Sequence, residues 1–331
     1  MKQLLLVLFC LIPSVHLAAS LEAGDYKGRD DVEAFITRMA QDSDYSEAEL
    51  IALFSQVKKQ SQLFDRLNRP AEKALEWHQY RKIFIKEKRI VEGVKFWKKH
   101  ESLLAEVSRK TGVPAEIIVA IIGVETFYGI YRGKDPVFDS LVTIAFDYPR
   151  RAKFFLGELE QFLLLVKEQN LDARSLKGSY AGAMGMPQFI SSSYRHYAVD
   201  GDADGRINLF DNIADITSSV ANYFVRHGWR EGETVARPLI AVADNSVSAL
   251  EVGIKPRYKW SEVKQHGLTS RFRIEDNMPL ALVRLEQKNH AEYWAGFENF
   301  YVITRYNHSE LYAMAAYQLS VLIKGRVKSD K

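Results

Sequence analysis

The stretch Val113-Pro-Ala-Glu-Ile-Ile-Val-Ala-Ile-Ile-Gly-Val-Glu-Thr-Phe-Tyr-Gly129 limits what this chain can fold into more than any other. Pro114 suits the start of a helix, where its missing N–H costs nothing, and Glu116 suits the positive first turn. From Ile117 to Val124 there is no charge, and Gly123 is the only small break, so the helix is expected to be buried on nearly all sides. At roughly 100° per residue, Glu125 shares a face with Ile118 and Ile121. A carboxyl there is partly desolvated, which favours its protonated form near neutral pH. A structural glutamate neutralised by an arginine gives the same pattern, so the helix alone leaves both readings open.

The chain has 331 residues, 47% of them apolar and 26% charged, the composition of a folded protein of one large or a few smaller domains. A net charge of +3 without a Lys/Arg block argues against a nucleic-acid partner. Lys2 followed by the apolar run Leu4 to Val15 reads as an export signal, too short to span a bilayer, with Ala18-Ala19-Ser20 as the cleavage site. Cys10, the one cysteine, competes as a lipid-anchor site. The bulky Leu8-Phe9 before it disfavours that, so a soluble bacterial periplasmic protein without disulfides is expected. No later segment approaches membrane-spanning length.

Up to residue 112 the pattern is helical. Asp31 to Ala40 and Ser46 to Phe54 open on capping residues, Asn68-Arg69-Pro70 breaks the series, and a long helix is expected from about Ile90 to Lys110. Leu21 to Asp30 reads as loose. Pro149 can start a helix to about Lys167, Ser191 to Ser193 can cap one through Tyr197, and another fits Ile213 to Arg226. Between Val235 and Ile303 the runs Leu280 to Leu285 and Phe300 to Ile303 predict strands, with turns at Asp244-Asn245 and Asp276-Asn277. A last helix covers Ser309 to Lys324. The expected organisation is a signal peptide at 1–20, a helical domain at 21–112 and a core at 113–232. A small β-containing subdomain at 233–303 and a C-terminal helical return at 304–331 follow, a mainly α (α+β) class.

Asp200-Gly-Asp-Ala-Asp-Gly-Arg-Ile-Asn-Leu-Phe-Asp211 is an EF-hand-like loop. Asp200, Asp202 and Asp204 alternate, Gly205 permits the turn, and Arg206 offers a carbonyl to a hard cation such as Ca²⁺. Asp211 stands where a glutamate is usual, and Asp215 follows one helical turn later. A lone loop argues for a structural ion over a switch. The paired Arg150 and Arg151 suit a polar, anionic substrate. Tyr80, Tyr128, Tyr223 and Tyr306, with Gln188 and Asn307, are residue types that line carbohydrate grooves. Nucleophile elbows, phosphate loops, dinucleotide fingerprints and His-Glu-x-x-His zinc motifs are absent, so no organic cofactor is expected.

Gly123-Val-Glu-Thr-Phe-Tyr-Gly129, Phe146-Asp-Tyr-Pro-Arg-Arg-Ala152, Lys177-Gly-Ser-Tyr-Ala-Gly-Ala-Met-Gly-Met-Pro-Gln-Phe189, the Asp200 loop and Ser219-Val-Ala-Asn-Tyr-Phe224 resemble the membrane-bound lytic murein transglycosylase B family. Trp77-x-x-Tyr80-Arg81 and Tyr306-Asn-x-Ser-Glu-Leu-Tyr312 extend the match from about Asp31 to the C-terminus. The resemblance implies a lysozyme-like core that cleaves the β-1,4 bond between N-acetylmuramic acid and N-acetylglucosamine without water, leaving a 1,6-anhydromuramoyl end. It makes Glu125 the single acid/base, assisted by the substrate's N-acetyl group, a departure from two-carboxylate glycosidases. It places Tyr80, Arg150, Arg151, Gln188, Phe189, Tyr223, Tyr306 and Asn307 along the glycan groove and Ser179 near the catalytic subsite. Asp200, Asp202, Asp204, the Arg206 carbonyl and Asp215 are implied around the cation. Ser191 departs from the family's usual proline, and the variable spacing after Asp211 leaves Asp211 and Asp215 as alternatives. Peptidoglycan strands, and other cell-wall enzymes, are the implied partners. A hydrolytic muramidase using Asp135, Asp139 or Asp147 is the alternative on the same fold, and an inactive calcium-dependent wall-binding protein the alternative from another class.

Overall fold

The computed structural model of the chain describes residues 20–68, 75–242 and 247–330. The export signal with Cys10, the Arg69-Pro70 break and the Asp244-Asn245 turn lie outside them. Two units divide the chain, Met1–Lys59 and Gln60–Lys331.

In the first unit, helices Asp30–Gln41 and Glu47–Phe54 bring Phe35 and Phe54 to a ring separation of 5.9 Å. Ser46 caps the second helix as expected: its hydroxyl accepts from the Glu49 amide, and Glu49 accepts from the Ser46 amide. The first helix starts one residue before Asp31. Arg29, the residue preceding it, binds the Asp31 carboxylate and holds its pKa below the ordinary value. The stretch expected to be loose is ordered. Leu21 and Tyr26 are buried, the Leu21 amide donates to Glu33 (2.8 Å), and the Gly28 amide donates to the Leu21 carbonyl.

The second unit is built around helix Ala115–Thr126, in which Ile117 to Val124 are all buried. Each large side chain there gains about 1.5–3 kcal/mol over exposure. This helix packs along Glu310–Ser329 and Glu87–Lys99. At its start, Lys324 reaches the half-buried Glu116 carboxylate at 2.5 Å. Gly123 proves to be a slot: a Cβ there would lie 2.6 Å from the Tyr128 ring, and one at Gly93 2.4 Å from the Tyr128 hydroxyl. Tyr128 fills this slot and donates to the Arg89 carbonyl at 2.8 Å.

The helix expected over Ile90 to Lys110 is two, Glu87–Lys99 and Glu101–Thr111. His100, at φ −120°, interrupts them and sets its ring against Phe96 at 4.8 Å. Gly112 ends the second in left-handed conformation. Helices Val137–Asp147 and Ala152–Glu168, joined by a short 3₁₀ turn Pro149–Arg151, pack on each other. Strands β1 (Asp135–Pro136) and β2 (Lys177–Gly178) pair antiparallel. Helices Ser191–Tyr197 and Ile213–Arg226 flank the acidic loop.

The β-containing part follows: β3 (Ala236–Ala241), β4 (Tyr258–Lys259), β5 (Leu268–Thr269), β6 (Pro279–Glu286) and β7 (Ala291–Gly296). They form one antiparallel sheet in the order β4-β6-β7-β3-β5. Leu239, Leu280, Leu282 and Ala295 pack with Trp260 and Val263 of helix Trp260–Gln265 in one core. The strand expected at Phe300 to Ile303 is instead part of helix Glu298–Tyr306. A short apolar run does not distinguish the two. Asn299 settles the matter: fully buried, it bonds the Arg230 amide and carbonyl and the Glu233 carbonyl, fixing the helix start. Among the described residues no helix is long and apolar enough to cross a membrane.

Because the Tyr128 ring is pinned on two sides, Gly123→Ala has no room to relax. Overpacking outweighs the gain in helix propensity, and urea denaturation should show a net loss of about 1–2 kcal/mol.

Candidate active site

Glu125 is the penultimate residue of the buried helix and is itself half-buried. The helix stops because Phe127 and Tyr128 both turn left-handed, at φ 52° and 60°. For non-glycine residues this costs about 1–3 kcal/mol each, and the Tyr128 slot and the amide bonds back to Gly123 and Ile122 hold it in place. The carboxyl group is thereby placed at the helix end and not along its buried face.

Its partner comes from the far end of the chain. Tyr312 donates its hydroxyl to Glu125 Oε1 at 2.5 Å. Burial, and then the Glu125 charge, push both the Tyr312 and Tyr306 phenols well above their ordinary pKa. Both therefore stay protonated and act as donors. The Tyr306 ring stacks on Tyr312, centroids 6.4 Å apart and nearly parallel, and its hydroxyl donates to the Pro187 carbonyl at 2.6 Å.

From Tyr306 a groove of about 640 Å³ runs outward. Phe189, Tyr223 and Tyr306 meet at centroid distances of 4.8–5.8 Å, and Tyr223 stacks on His227 at 4.1 Å. The Tyr223 hydroxyl donates to the Arg305 carbonyl, and burial pushes its pKa up to about 12. Arg151 lines the groove with its guanidinium 4.6 Å over Phe154. None of the groove-lining residues is an Asp or Glu.

The expected substrate residues divide accordingly. Arg151, Gln188, Phe189, Tyr223 and Tyr306 line this groove together. Gln188, left-handed at φ 52°, spends its amide N–H on the Arg132 and Gly185 carbonyls. Tyr80 is buried, its ring 5.2 Å from Phe84, and interacts electrostatically with Tyr312. Ser179 is half-buried in a turn, its hydroxyl accepting from the Ala181 and Ala183 amides. Arg150 and Asn307 are exposed and lie outside the groove lining. Sequence reasoning named Tyr312 only as the end of a motif, and it gave no role to Tyr312, His196, Tyr197, His227, Arg305 or His308. Tyr312 sits six residues after Tyr306 across a helix boundary, and no periodicity relates either to Glu125.

In the acidic loop, the carboxylates of Asp200, Asp202 and Asp204 offer oxygens within 4.8 Å of one another. The Gly205 amide holds the Asp200 pKa low, and Asn212 donates to Asp202 at 3.0 Å. These hard-oxygen donors fit a calcium-like cation. Asp215, expected among the ligands, is fully buried beneath the loop. Its two oxygens accept from the Gly201 and Asn208 amides, both at 2.7 Å, and burial raises its pKa. Asp211 is exposed and pairs with Arg132 at 2.8 Å.

Residues 27–321 match the family described as the transglycosylase SLT domain. The membrane-bound lytic murein transglycosylase B of Escherichia coli (strain K12) is 41% identical over 305 residues, covering 89% of this chain and 83% of that protein. The soluble lytic transglycosylase SltB1 of Pseudomonas aeruginosa superposes with a TM-score of 0.85 at 45% identity, over 89% of this chain and 99% of that one. The Escherichia coli lytic transglycosylase Slt35 in complex with calcium gives a TM-score of 0.87 at 39% identity, over 96% and 99%. The lysozyme-like, mainly helical class expected from sequence is therefore the fold observed.

His227 gives the groove a pH signature. Its Nδ1 lies 2.7 Å from the Tyr223 carbonyl. Burial lowers its pKa, that carbonyl partly restores it, and Arg305, Arg226 and His308 lower it further. A depressed folded pKa means that the unfolded chain takes up the proton first. Stability is therefore full above the unfolded value near ~6.5 and declines as pH falls through the folded one. The difference in unfolding free energy between wild type and His227→Gln should shrink between pH 7 and pH 5, since the variant lacks this titration.

Proposed function

The chain belongs to the transglycosylase SLT domain family and is a lytic transglycosylase acting on peptidoglycan, and from that premise we propose that Glu125 is its single acid/base. The observation that carries this reading is the placement of Glu125 at the helix end, held by a Tyr312 whose ring stacks on groove-lining Tyr306. In the first step the Glu125 carboxyl gives its proton to the glycosidic oxygen of the β-1,4 bond between N-acetylmuramic acid and N-acetylglucosamine, and that bond breaks. The N-acetyl oxygen of the muramoyl residue stabilises the cationic C1. The Glu125 carboxylate then takes the proton of the C6 hydroxyl, whose oxygen bonds to C1 and displaces the N-acetyl group. The product is a 1,6-anhydromuramoyl end, and the glutamate is protonated again. Tyr312, a donor in both halves of the cycle, fixes the carboxyl rotamer and stabilises its anion.

Two of the carboxylates that a hydrolytic muramidase on this fold could recruit, Asp135 and Asp139, have other partners. Asp135 forms a twofold bond with Arg66 at 2.9 and 3.0 Å, and the buried Asp139 pairs with Arg174. Phe189, Tyr223 and Tyr306 are proposed to take the sugar faces and Arg151 an anionic group of the substrate. Tyr80 and Ser179 would bound the catalytic subsite, and Arg150 and Asn307 would act at the rim. Asp200, Asp202 and Asp204, with the Arg206 carbonyl, would hold a structural Ca²⁺, which supplies loop rigidity and no catalytic step. Asp215 is proposed to brace that loop. We place the enzyme in the bacterial periplasm: export cleavage after Ser20 would leave the Leu21 ammonium beside Glu33.

Mass spectrometry of products from purified peptidoglycan should show anhydromuramoyl ends, with Glu125→Gln lowering turnover at least about 10³-fold. Reducing muramic acid ends would establish the hydrolytic reading. Glycan binding without muropeptide release by wild type would establish the wall-binding one. Saturating calcium should raise Tm by several degrees over the chelated protein, about 2.7 kcal/mol at a hundredfold excess over Kd. An unchanged Tm would remove the ion from the loop.

A further inference from the structure

The loop leaving the glutamate helix displays two large apolar side chains that the groove does not use. Ile130 is 62% exposed and Tyr131 68%, and neither lines the groove. Single exposed apolar residues are ordinary, but this pair is held rigidly beside the catalytic glutamate. The Tyr131 amide donates to the Thr126 carbonyl at 2.9 Å and the Gly129 amide to the Thr126 hydroxyl at 3.0 Å, and that hydroxyl donates to the Met186 carbonyl. Arg132 ties the next turn to the Phe210 carbonyl and Asp211, and its own carbonyl receives Gln188. At Gly133 a Cβ would fall 2.6 Å from the Ser179 amide. The loop thus runs without a break between Gln188 and Ser179, on the residue next to Glu125.

We propose that Tyr131, with Ile130, is an additional glycan subsite, a platform on which a sugar ring of a long strand packs beyond the groove. The proposal rests on the reading that this chain cleaves such strands, whichever group serves as the acid. A tyrosine offers a sugar's C–H face a flat apolar body and offers its hydroxyls a polar tip. Phe127, 6.0 Å from Tyr131 between ring centroids, carries Arg89 at 5.2 Å and Lys88 at 5.8 Å over its ring, so the platform is edged by cations suited to hydroxyl and carboxylate oxygens. The occupant is a sugar and not a second protein. A stable protein interface needs roughly 800 Å² on each partner, far more than two side chains supply, whereas one ring matches one sugar.

The test compares kcat/KM on strands long enough to reach the platform with that on the shortest strand cleaved. Tyr131→Ser should lose about tenfold on long strands, in KM, with the loss confined to them, and Tyr131→Trp should restore it. Equal activity of Tyr131→Ser and wild type on long strands, or equal losses on both lengths, would overturn the subsite. Glu125→Gln separates the two ideas. If it abolishes cleavage at both lengths, the glutamate reading holds whatever Tyr131 does. If it leaves cleavage intact while Tyr131→Ser stays length-selective, the glutamate reading falls and the platform stands. Because Tyr131 is exposed, thermal denaturation should show all Tyr131 variants folded like wild type.

Discussion

The arrangement of the second unit depends on Tyr128 filling the space between Gly93 and Gly123. Without side chains at those glycines, helices Glu87–Lys99 and Ala115–Thr126 admit an aromatic ring between them, and the ring's hydroxyl closes the slot on the Arg89 carbonyl. That anchoring makes a left-handed backbone tolerable at two successive bulky residues. It ends the apolar helix one residue after Glu125. Had the helix continued, the carboxyl would have been another position on a buried cylinder. The packing energy of the apolar run is in this sense used to hold a strained turn, and the turn presents the acid.

The second constraint is the return of the chain. Helices Glu298–Tyr306 and Glu310–Ser329 carry Tyr306 and Tyr312 back to a glutamate nearly two hundred residues earlier. Their phenols are kept neutral by burial and by the negative charge they face. A protonated phenol can steady a carboxylate without competing for its proton, which suits the acid/base role proposed for Glu125. The same ring stack leads into the groove, so the hold on Glu125 and the groove wall share one set of aromatics. The loop that follows the helix displays Ile130 and Tyr131, and it is fixed by bonds to Thr126 and not by burial of those side chains.

Much of this was legible in the chain. The apolar run, its single carboxyl, the alternating aspartates, the Ser46 cap, the Ile213 to Arg226 helix and the strand around Leu280 were readable because each rests on local periodicity or turn chemistry. The misread segments had local patterns that tertiary bonds overrode. Phe300 to Ile303 is helical because Asn299 is tied to Arg230 and Glu233. The Ile90 to Lys110 helix breaks where His100 turns onto Phe96. Leu21 is ordered by Glu33.

By itself, then, the sequence determined that a buried apolar run would end on one acid, that a loop of alternating aspartates would follow, and which motif residues belong to a glycan-cleaving family. Those features depend on neighbours within a turn or two of chain. Only the tertiary structure decided that Glu125 stands half-exposed at a helix end, that Tyr312 holds it, that Arg151 and not Arg150 lines the groove, and that the buried Asp215 accepts from the Gly201 and Asn208 amides. Each of these depends on which distant backbone comes within hydrogen-bonding reach, and that is set by packing and not by spacing.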